Sequence, residues 1–442
     1  MNKIYYKISN NNFLLNLFFL VPLISFFFGF ITDENAAGGG GYNGDSIWIR
    51  ENIKIFINNN FFDSINHPEF FGNRTPLAML LHKYLNPFFF EFEKYRATVF
   101  FLCLVGPIFF FIFLNLKFKN IDKRILFFLA SIVYLSPYYR TSAYWGLDEN
   151  YSIITFILSF IFIEKIKKCQ EATLSFYNNF FLIILFSSLS VYFDQKFLFV
   201  PLFCLIFLFF YVKKNFVKLI LLLTYLLLSI PYIYLLIIWK GIVPVATQLA
   251  NPKAITDIEN LSKLNFIHIG YSATMIAFYI FPFIFFLKDN IFKIIKKTLK
   301  QKSFYFFFLV SLLYILYLYF FFNFKNFTND EYWVGLGVVH KLSLKITDSF
   351  LIREIFTYFF FLLSFILIFF LFYNNKFDFL YLIYFFFISL FVWPLMQEYF
   401  DPVITLVTLI IFKLVKKINF SNVLLLFLYH ILFLIISINY YS

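Results

Sequence analysis

The sequence predicts an all-α polytopic membrane protein with about 11–13 transmembrane helices, and three observations support this fold class. Of the 442 residues, 62% are hydrophobic and only 14% are charged, whereas a soluble globular chain carries about 25% charged residues. Apolar stretches long enough to approach the width of a bilayer recur along the whole chain. These stretches are continuously apolar and do not alternate with polar residues, as the strands of a membrane barrel do. Because backbone groups in a bilayer must bond within their own segment, the stretches are predicted to be helices.

Thirteen apolar stretches are the predicted spans. They lie near 13–31, 96–116, 124–137, 149–163, 179–193, 197–212, 218–239, 268–287, 304–323, 353–373, 379–396, 403–412 and 421–439. We expect a single integral membrane domain over 1–442, with a catalytic part over about 1–240 and a C-terminal transmembrane part over about 241–442.

The basic residues predict the orientation of the chain. With the N-terminus in the cytoplasm, the inner loops hold more than half of the 37 Lys and Arg residues but only five of the 24 acids. This is the positive-inside pattern. The net charge of +13 is therefore a topology signal, and we expect no nucleic acid as a partner. The abundance of Phe, Ile, Asn, Lys and Tyr is typical of an AT-rich genome, so we expect a multi-pass protein of a bacterial inner membrane.

The first outer loop, near 32–95, is the longest and carries two predicted interfacial helices. Asp45 opens a segment with apolar residues at 49, 53, 56 and 57, which form one helical face, and Asp45 is a candidate for its N-cap. Pro76 stands at the start of a second short apolar helix, Leu77–Leu85. Both helices are expected to lie at the membrane surface.

This layout resembles the GT-C superfamily of integral membrane glycosyltransferases, in particular the protein O-mannosyltransferases and aminoarabinose transferases. In those families the first outer loop carries an acidic residue, an amphipathic helix and a turn of the form basic-Pro-Pro-Leu. Asp45 matches the acid and Arg74-Thr75-Pro76-Leu77 matches the turn, with Thr75 in place of the first proline. An acid at the start of the fourth span is a further family feature, and Asp148 or Glu149 occupies it. The resemblance covers about the first 165 residues.

The resemblance implies transfer of a sugar from a polyprenyl-phosphate-linked donor to a glycan, lipid or protein acceptor at the outer face. Asp45 would be the catalytic carboxylate, with Asp148 or Glu149 orienting the acceptor, because an ionised carboxylate can take a hydroxyl proton. Arg74 and Arg140 would bind the donor phosphate, since a guanidinium binds phosphate through two parallel hydrogen bonds. His268, which opens a later span, is a third candidate for this phosphate contact. A divalent cation is a possible cofactor, although no ligand spacing in the sequence requires one.

Two other classes of function stay open from the sequence alone. An O-antigen-type polymerase or ligase would typically place its largest outer loop late in the chain, whereas here it comes first. A transporter of lipid or polysaccharide predicts charges within spans and internal repeats. The predicted spans carry no charge at their centres, and no internal repeat is recognisable in the sequence. The segment Asp194-Gln195-Lys196 between two spans is predicted to be a solvated turn.

Overall fold

The structure is a computed structural model of the chain. It describes residues 12–38, 41, 44–72, 74–171, 173–250, 264–288, 291–327, 335–373 and 376–441. Two compact units are present, and each is described by itself. The first unit consists of Met1–Pro252, Thr256–Ile258 and Phe427–Ser442, and the second unit consists of Lys253–Ile255 and Glu259–Leu426.

The first unit is built from helices throughout its described residues. The α-helices are α1 Asn12–Ile31, α2 Asp45–Asn58, α3 Phe61–Ile65, α4 Leu77–Leu85, α5 Phe92–Cys103, α6 Val105–Lys117, α7 Lys123–Ser131, α8 Pro137–Trp145, α9 Glu149–Ile166, α10 Leu174–Phe193, α11 Phe199–Tyr211, α12 Asn215–Trp239 and α13 Val245–Ala250. Short 3-10 helices occupy Ile132–Leu135 and Gln195–Leu198. The closest packing is between α9 and α10, which form an antiparallel pair.

The described residues of the second unit are helical as well. The α-helices are α14 Ile267–Ile280, α15 Ile291–Thr298, α16 Lys302–Phe321, α17 Phe324–Asn326, α18 Gly337–Ile346, α19 Phe350–Phe372, α20 Lys376–Ser389, α21 Val403–Ile410 and α22 Phe420–Tyr441. Phe281–Phe286 and Gln397–Tyr399 are 3-10 helices. Helix α14 packs against α18, α19, α20 and α21 and forms the centre of this unit, while α22 runs on into the first unit.

The predicted fold class is confirmed. Within the described residues, seven helical segments are long and apolar enough to cross a membrane, or eight if the bent pair α8 and α9 forms one span. The seven are Phe92–Lys117, Leu174–Phe193, Asn215–Trp239, Ile267–Phe286, Lys302–Phe321, Phe350–Phe372 and Phe420–Tyr441. Shorter apolar helices cover Leu20–Ile31, Gln195–Tyr211 and Phe377–Ser389. The predicted span at 124–137 is divided between α7 and a 3-10 helix, and the one at 403–412 is the eight-residue helix α21.

The two predicted loop helices are present as α2 and α4. Helix α4 has the predicted bounds, and Pro76 stands directly before it. The predicted N-cap of α2 is wrong by one position: Gly44 stands at the N-cap, and Asp45 is the first helical residue. A carboxylate in the first turn is nevertheless stabilised by the positive end of the helix dipole.

A sharp bend between α8 and α9 shapes the first unit. Helix α8 ends at Gly146, whose positive φ of 77° is a conformation that favours glycine, and the two helix axes differ by 118°. The Leu147 N–H donates to the Ser142 carbonyl over 2.9 Å and completes the turn. The bend therefore leaves Asp148 at the N-cap of α9 and Glu149 as the first residue of that helix.

Close helix contact in the second unit depends on Gly270 of α14. A methyl group at this position would overlap the ring of Phe361 on α19. We expect Gly270→Ala to lower the free energy of unfolding by about 1–3 kcal/mol, because the overlap exceeds the small gain in helix propensity. Thermal unfolding in detergent measures the change. Gly72→Ala is the matched control, since a Cβ there has no neighbour within 4 Å; equal unfolding temperatures for the two variants would contradict the packing.

Candidate functional site

The structure brings three of the predicted site residues of the first unit into one cluster. Arg74, between α2 and α4, donates from Nη1 to Oδ1 of Asp148 over 2.9 Å. Its Nη2 donates to Oε1 of Glu149. One guanidinium therefore holds both acids of the α8–α9 bend, although Arg74 lies more than 70 residues away in sequence. We call Arg74, Asp148, Glu149 and the groups that touch them the bend cluster.

Glu149 is the buried member of the bend cluster, and its side chain is 1% exposed. Tyr138 and Ser142 on α8 both donate hydrogen bonds to its carboxylate, Ser142 to Oε2 over 3.0 Å. With Arg74, three donors satisfy the carboxylate, as a buried charge requires. Glu149 is thus held in one position, which suits a residue that orients its neighbours.

Asp148 is more accessible, with a side chain that is 11% exposed. Burial raises the pKa of its carboxyl above the ordinary value, Arg74 lowers it, and the nearby charge of Asp194 raises it further. A carboxylate with a raised pKa is a better proton acceptor than an ordinary one. Its position at the edge of the cluster makes it the stronger candidate for proton transfer of the two neighbouring acids.

A second cation joins the bend cluster from the loop between α10 and α11. Lys196 contacts Asp194 over 2.9 Å, and its ammonium lies 4.7 Å from the ring centre of Tyr138. Asp194 is only 7% exposed, so the prediction of a solvated turn is wrong. The order of the helices could have indicated this burial. The loop after α10 and the bend before α9 lie at the same end of the α9–α10 hairpin, so their side chains can meet.

Helix α4 is attached at both ends, and this attachment places Arg74. Thr75 donates from its hydroxyl to the carbonyl of Tyr192 at the end of α10. One helix length further, His82 Nε2 lies 2.8 Å from the hydroxyl of Tyr151 on α9. Burial lowers the pKa of His82 to about 4, so the imidazole is neutral at pH 7.

Arg140 lies in a separate ion pair. Its Nε and Nη2 donate to the two carboxylate oxygens of Glu34 over 2.7 and 2.6 Å. The guanidinium also donates to the carbonyls of Tyr134 and Ser25 over 3.1 and 2.9 Å, and the side chain is 1% exposed. Sequence reasoning passed over Glu34, although it directly follows the first span beside another acid, Asp33.

The structure also describes the remaining two predicted residues, Asp45 and His268. Asp45 is 7% exposed in the first turn of α2. His268 belongs to the second unit, where it is fully buried, stacks on Trp393 and has Nδ1 3.0 Å from the carbonyl oxygen of Ser389. The catalytic role of Asp45 and the phosphate contact of His268 stay predictions.

The bend cluster combines acids and cations at one end of a helix bundle. It offers a proton acceptor and two positive charges, Arg74 and Lys196, which can stabilise an anionic group. No group of three or more His, Cys, Asp or Glu side chains among the described residues is arranged to hold a metal ion.

Comparisons with known proteins give no further assignment. No protein-family model matches the chain, and neither a curated protein nor a solved structure is significantly similar to it.

The buried neutral His82 predicts a pH dependence of stability. The pKa of His82 in the folded protein, about 4, is below the ordinary value of 6.5. The neutral imidazole therefore makes its full contribution to folding stability above pH 6.5, and this contribution is lost as the pH falls towards 4. This loss amounts to at most roughly 3 kcal/mol. We expect His82→Gln to reduce the difference in unfolding temperature between pH 7 and pH 5 in detergent.

The control is His67→Gln, which changes a half-exposed histidine of the same loop. Its unfolding temperature should differ between pH 7 and pH 5 by as much as that of the unchanged protein. An unchanged difference in His82→Gln would show that the imidazole is not held neutral by burial.

Proposed function

We propose that this protein is an integral membrane glycosyltransferase that moves a sugar from a polyprenyl-phosphate donor to an acceptor hydroxyl. The observation that carries the proposal is the bend cluster, in which Arg74 holds Asp148 and Glu149 and Lys196 lies over Tyr138. The cluster lies at helix ends, and lipid phosphates meet a membrane protein at the level where its spans end. The sequence layout that resembles the GT-C superfamily supports the same reaction class.

The reaction requires one bond to form and one to break. The acceptor oxygen forms a bond to the anomeric carbon of the sugar, and the bond from that carbon to the phosphate oxygen breaks. The acceptor's proton passes to a carboxylate, and the phosphate leaves with the electron pair as polyprenyl phosphate. The protein must therefore supply a base and stabilise negative charge on the leaving phosphate.

Asp148 is the proton acceptor in this proposal. It is the partly exposed acid of the pair, and burial together with Asp194 raises its pKa. Glu149 positions Arg74 and Tyr138 through hydrogen bonds and does not itself take the proton. Asp45, the acid predicted from the sequence, is tested beside Asp148 because it lies in a buried first helical turn of the same unit.

Arg74 and Lys196 receive the leaving phosphate in this proposal. Their side chains are 15% and 13% exposed, so both cations are accessible at the edge of the cluster. Arg140 is assigned a positioning role instead, because its side chain is only 1% exposed and its donors contact Glu34 and backbone carbonyls. That ion pair joins α8 to the segment that directly follows α1 and thereby supports the helix that leads into the bend.

The sidedness belongs to the proposal as well. A cytoplasmic N-terminus and a bacterial inner membrane follow from the distribution of Lys and Arg in the predicted loops. They place the bend cluster at the outer face, where a polyprenyl-phosphate sugar and a glycan, lipid or protein acceptor meet. A polymerase, ligase or transporter would not release polyprenyl phosphate from a singly phosphorylated sugar donor, and this product separates the classes.

The experiment is transfer from a labelled polyprenyl-phosphate sugar in membranes with matched protein levels. We expect the unchanged protein to release polyprenyl phosphate and Asp148→Asn to lower the turnover by about 10²-fold or more, because the base is lost. Glu51→Gln on the exposed face of α2 is the control and should transfer at the normal rate.

Two outcomes would contradict the assignment at different levels. Normal turnover in Asp148→Asn with a large loss in Asp45→Asn would move the base to Asp45 and keep the function. Absence of labelled product and of polyprenyl phosphate from the unchanged protein, with donors of several sugars, would contradict the glycosyltransferase itself.

A further inference from the structure

A second group of basic side chains lies in the second unit, on α18 and the start of α19. His340 and Lys341 are adjacent on α18, and Arg353 lies in the first turn of α19, seven residues after the end of α18. The two helices pack against each other, and the charges of Lys341 and Arg353 both act on His340. We call these three residues the basic cluster.

The start of α18 is fixed tightly, which gives the basic cluster a defined position. Leu336 and Gly337 both have positive φ angles, and the Leu336 N–H donates to the carbonyl of Leu395 over 2.7 Å. The Val338 N–H donates to the side chain of Gln397 over 2.9 Å. Positive φ at a leucine costs about 1 kcal/mol or more, so the fold holds this turn against local preference.

His340 is the buried member of the basic cluster and is 3% exposed. Its ring meets Tyr271 of α14 edge to face, with 6.0 Å between ring centres. Within the part of the chain that the structure describes, its Nδ1 has no hydrogen-bond partner. An unpartnered polar atom at this depth is unfavourable by about 1–3 kcal/mol, so it indicates a group that joins the site.

Like charges surround this histidine. Burial first, and then the charges of Arg353 and Lys341, lower the pKa of His340 to about 4. Burial also lowers the pKa of Lys341 to about 8, which Glu398 partly offsets. Arg353 contacts Asp348 over 3.4 Å, but that carboxylate is fully exposed and contributes little. Two cations thus lie near one imidazole, and Glu398 and Asp348 are acids close to them.

We propose that His340, Lys341 and Arg353 form a binding site for a phosphate group, separate from the bend cluster. A phosphate accepts hydrogen bonds from a guanidinium and an ammonium, and its negative charge is attracted by both cations. It also supplies the acceptor oxygens with which an imidazole N–H can bond. The proposal does not depend on the reaction assigned to the first unit.

The surroundings favour a lipid as the source of that phosphate. Apolar side chains next to the basic cluster are exposed on both helices; they are Leu342, Ile346, Leu351, Ile352 and Ile355. Helix α19 is one of the candidate spans, so its first turn lies where lipid headgroups meet the protein. A lipid phosphate can therefore bind the cations while its chain covers the apolar side chains.

Binding of farnesyl phosphate to the full-length protein in neutral detergent tests the proposal. The measurement is made by calorimetry in an Arg74→Lys background, which keeps the positive charge beside Glu149 but lacks the two parallel hydrogen bonds proposed to bind phosphate in the first unit. We expect saturable binding in this background, and at least tenfold weaker binding after Lys341→Gln or Arg353→Gln, a loss typical for one charged hydrogen bond. Two separate variants are used because Arg353 also donates to the Thr347 carbonyl over 2.7 Å and supports the loop.

The controls separate this site from general attraction and from the proposed reaction. Lys345→Gln, an exposed lysine at the end of α18, should bind farnesyl phosphate normally. Inorganic phosphate should compete weakly if the ligand is a lipid, and as well as farnesyl phosphate if it is a soluble phosphate; either supports the site. Equal binding of farnesol, or unchanged binding in both Lys341→Gln and Arg353→Gln, would overturn it. These outcomes do not depend on sugar transfer, so the two proposals fail independently.

Discussion

The attraction between Arg74 and the two acids at the α8–α9 bend is the interaction on which the site of the first unit depends. Glu149 is almost completely buried, and a buried carboxylate is stable only when a cation and hydrogen-bond donors compensate it. Removing one member of such a pair typically costs about 3–5 kcal/mol, because the other charge stays buried. The long first loop must therefore return to the helix bundle at Arg74, and the position of α4 follows from this requirement.

Further contacts of the first unit support the same interaction. The bend itself leaves Asp148 and Glu149 at the end of a span, where they can meet both a loop residue and a ligand. Arg140 and Glu34 join α8 to the segment that follows α1. Thr75 and His82 attach α4 and the residue before it to α10 and α9. A rigid frame of this kind suits a site that must keep a base and a cation at fixed separation during transfer.

The sequence was sufficient for the fold class and for individual loop helices. Apolar runs predicted membrane helices, and the amphipathic segment after Asp45 and the proline at 76 predicted α2 and α4. These are local properties of composition and periodicity. The sequence also allowed the proposal that Arg74, Asp148 and Glu149 share a site, because the arrangement of its first outer loop and fourth span resembles that of the GT-C superfamily.

The partners of these residues could not be predicted in the same way. The pairing of Arg140 with Glu34 and the burial of Asp194 depend on how helices pack, which no local pattern specifies. From the sequence, a charged residue in a loop is predicted to be solvated, unless the element that packs against it is known. The same applies to the basic cluster, where His340 and Arg353 lie on different helices and meet only through tertiary contact.

The measurement that tests the account most directly is the KM for a labelled polyprenyl-phosphate sugar in Arg74→Lys. Lysine keeps the positive charge but cannot form the two parallel hydrogen bonds of a guanidinium. The account predicts that KM rises by about tenfold or more, while Arg124→Lys, an exposed pair with Asp122, behaves normally. An unchanged KM and an unchanged turnover in Arg74→Lys would contradict the central role of this arginine.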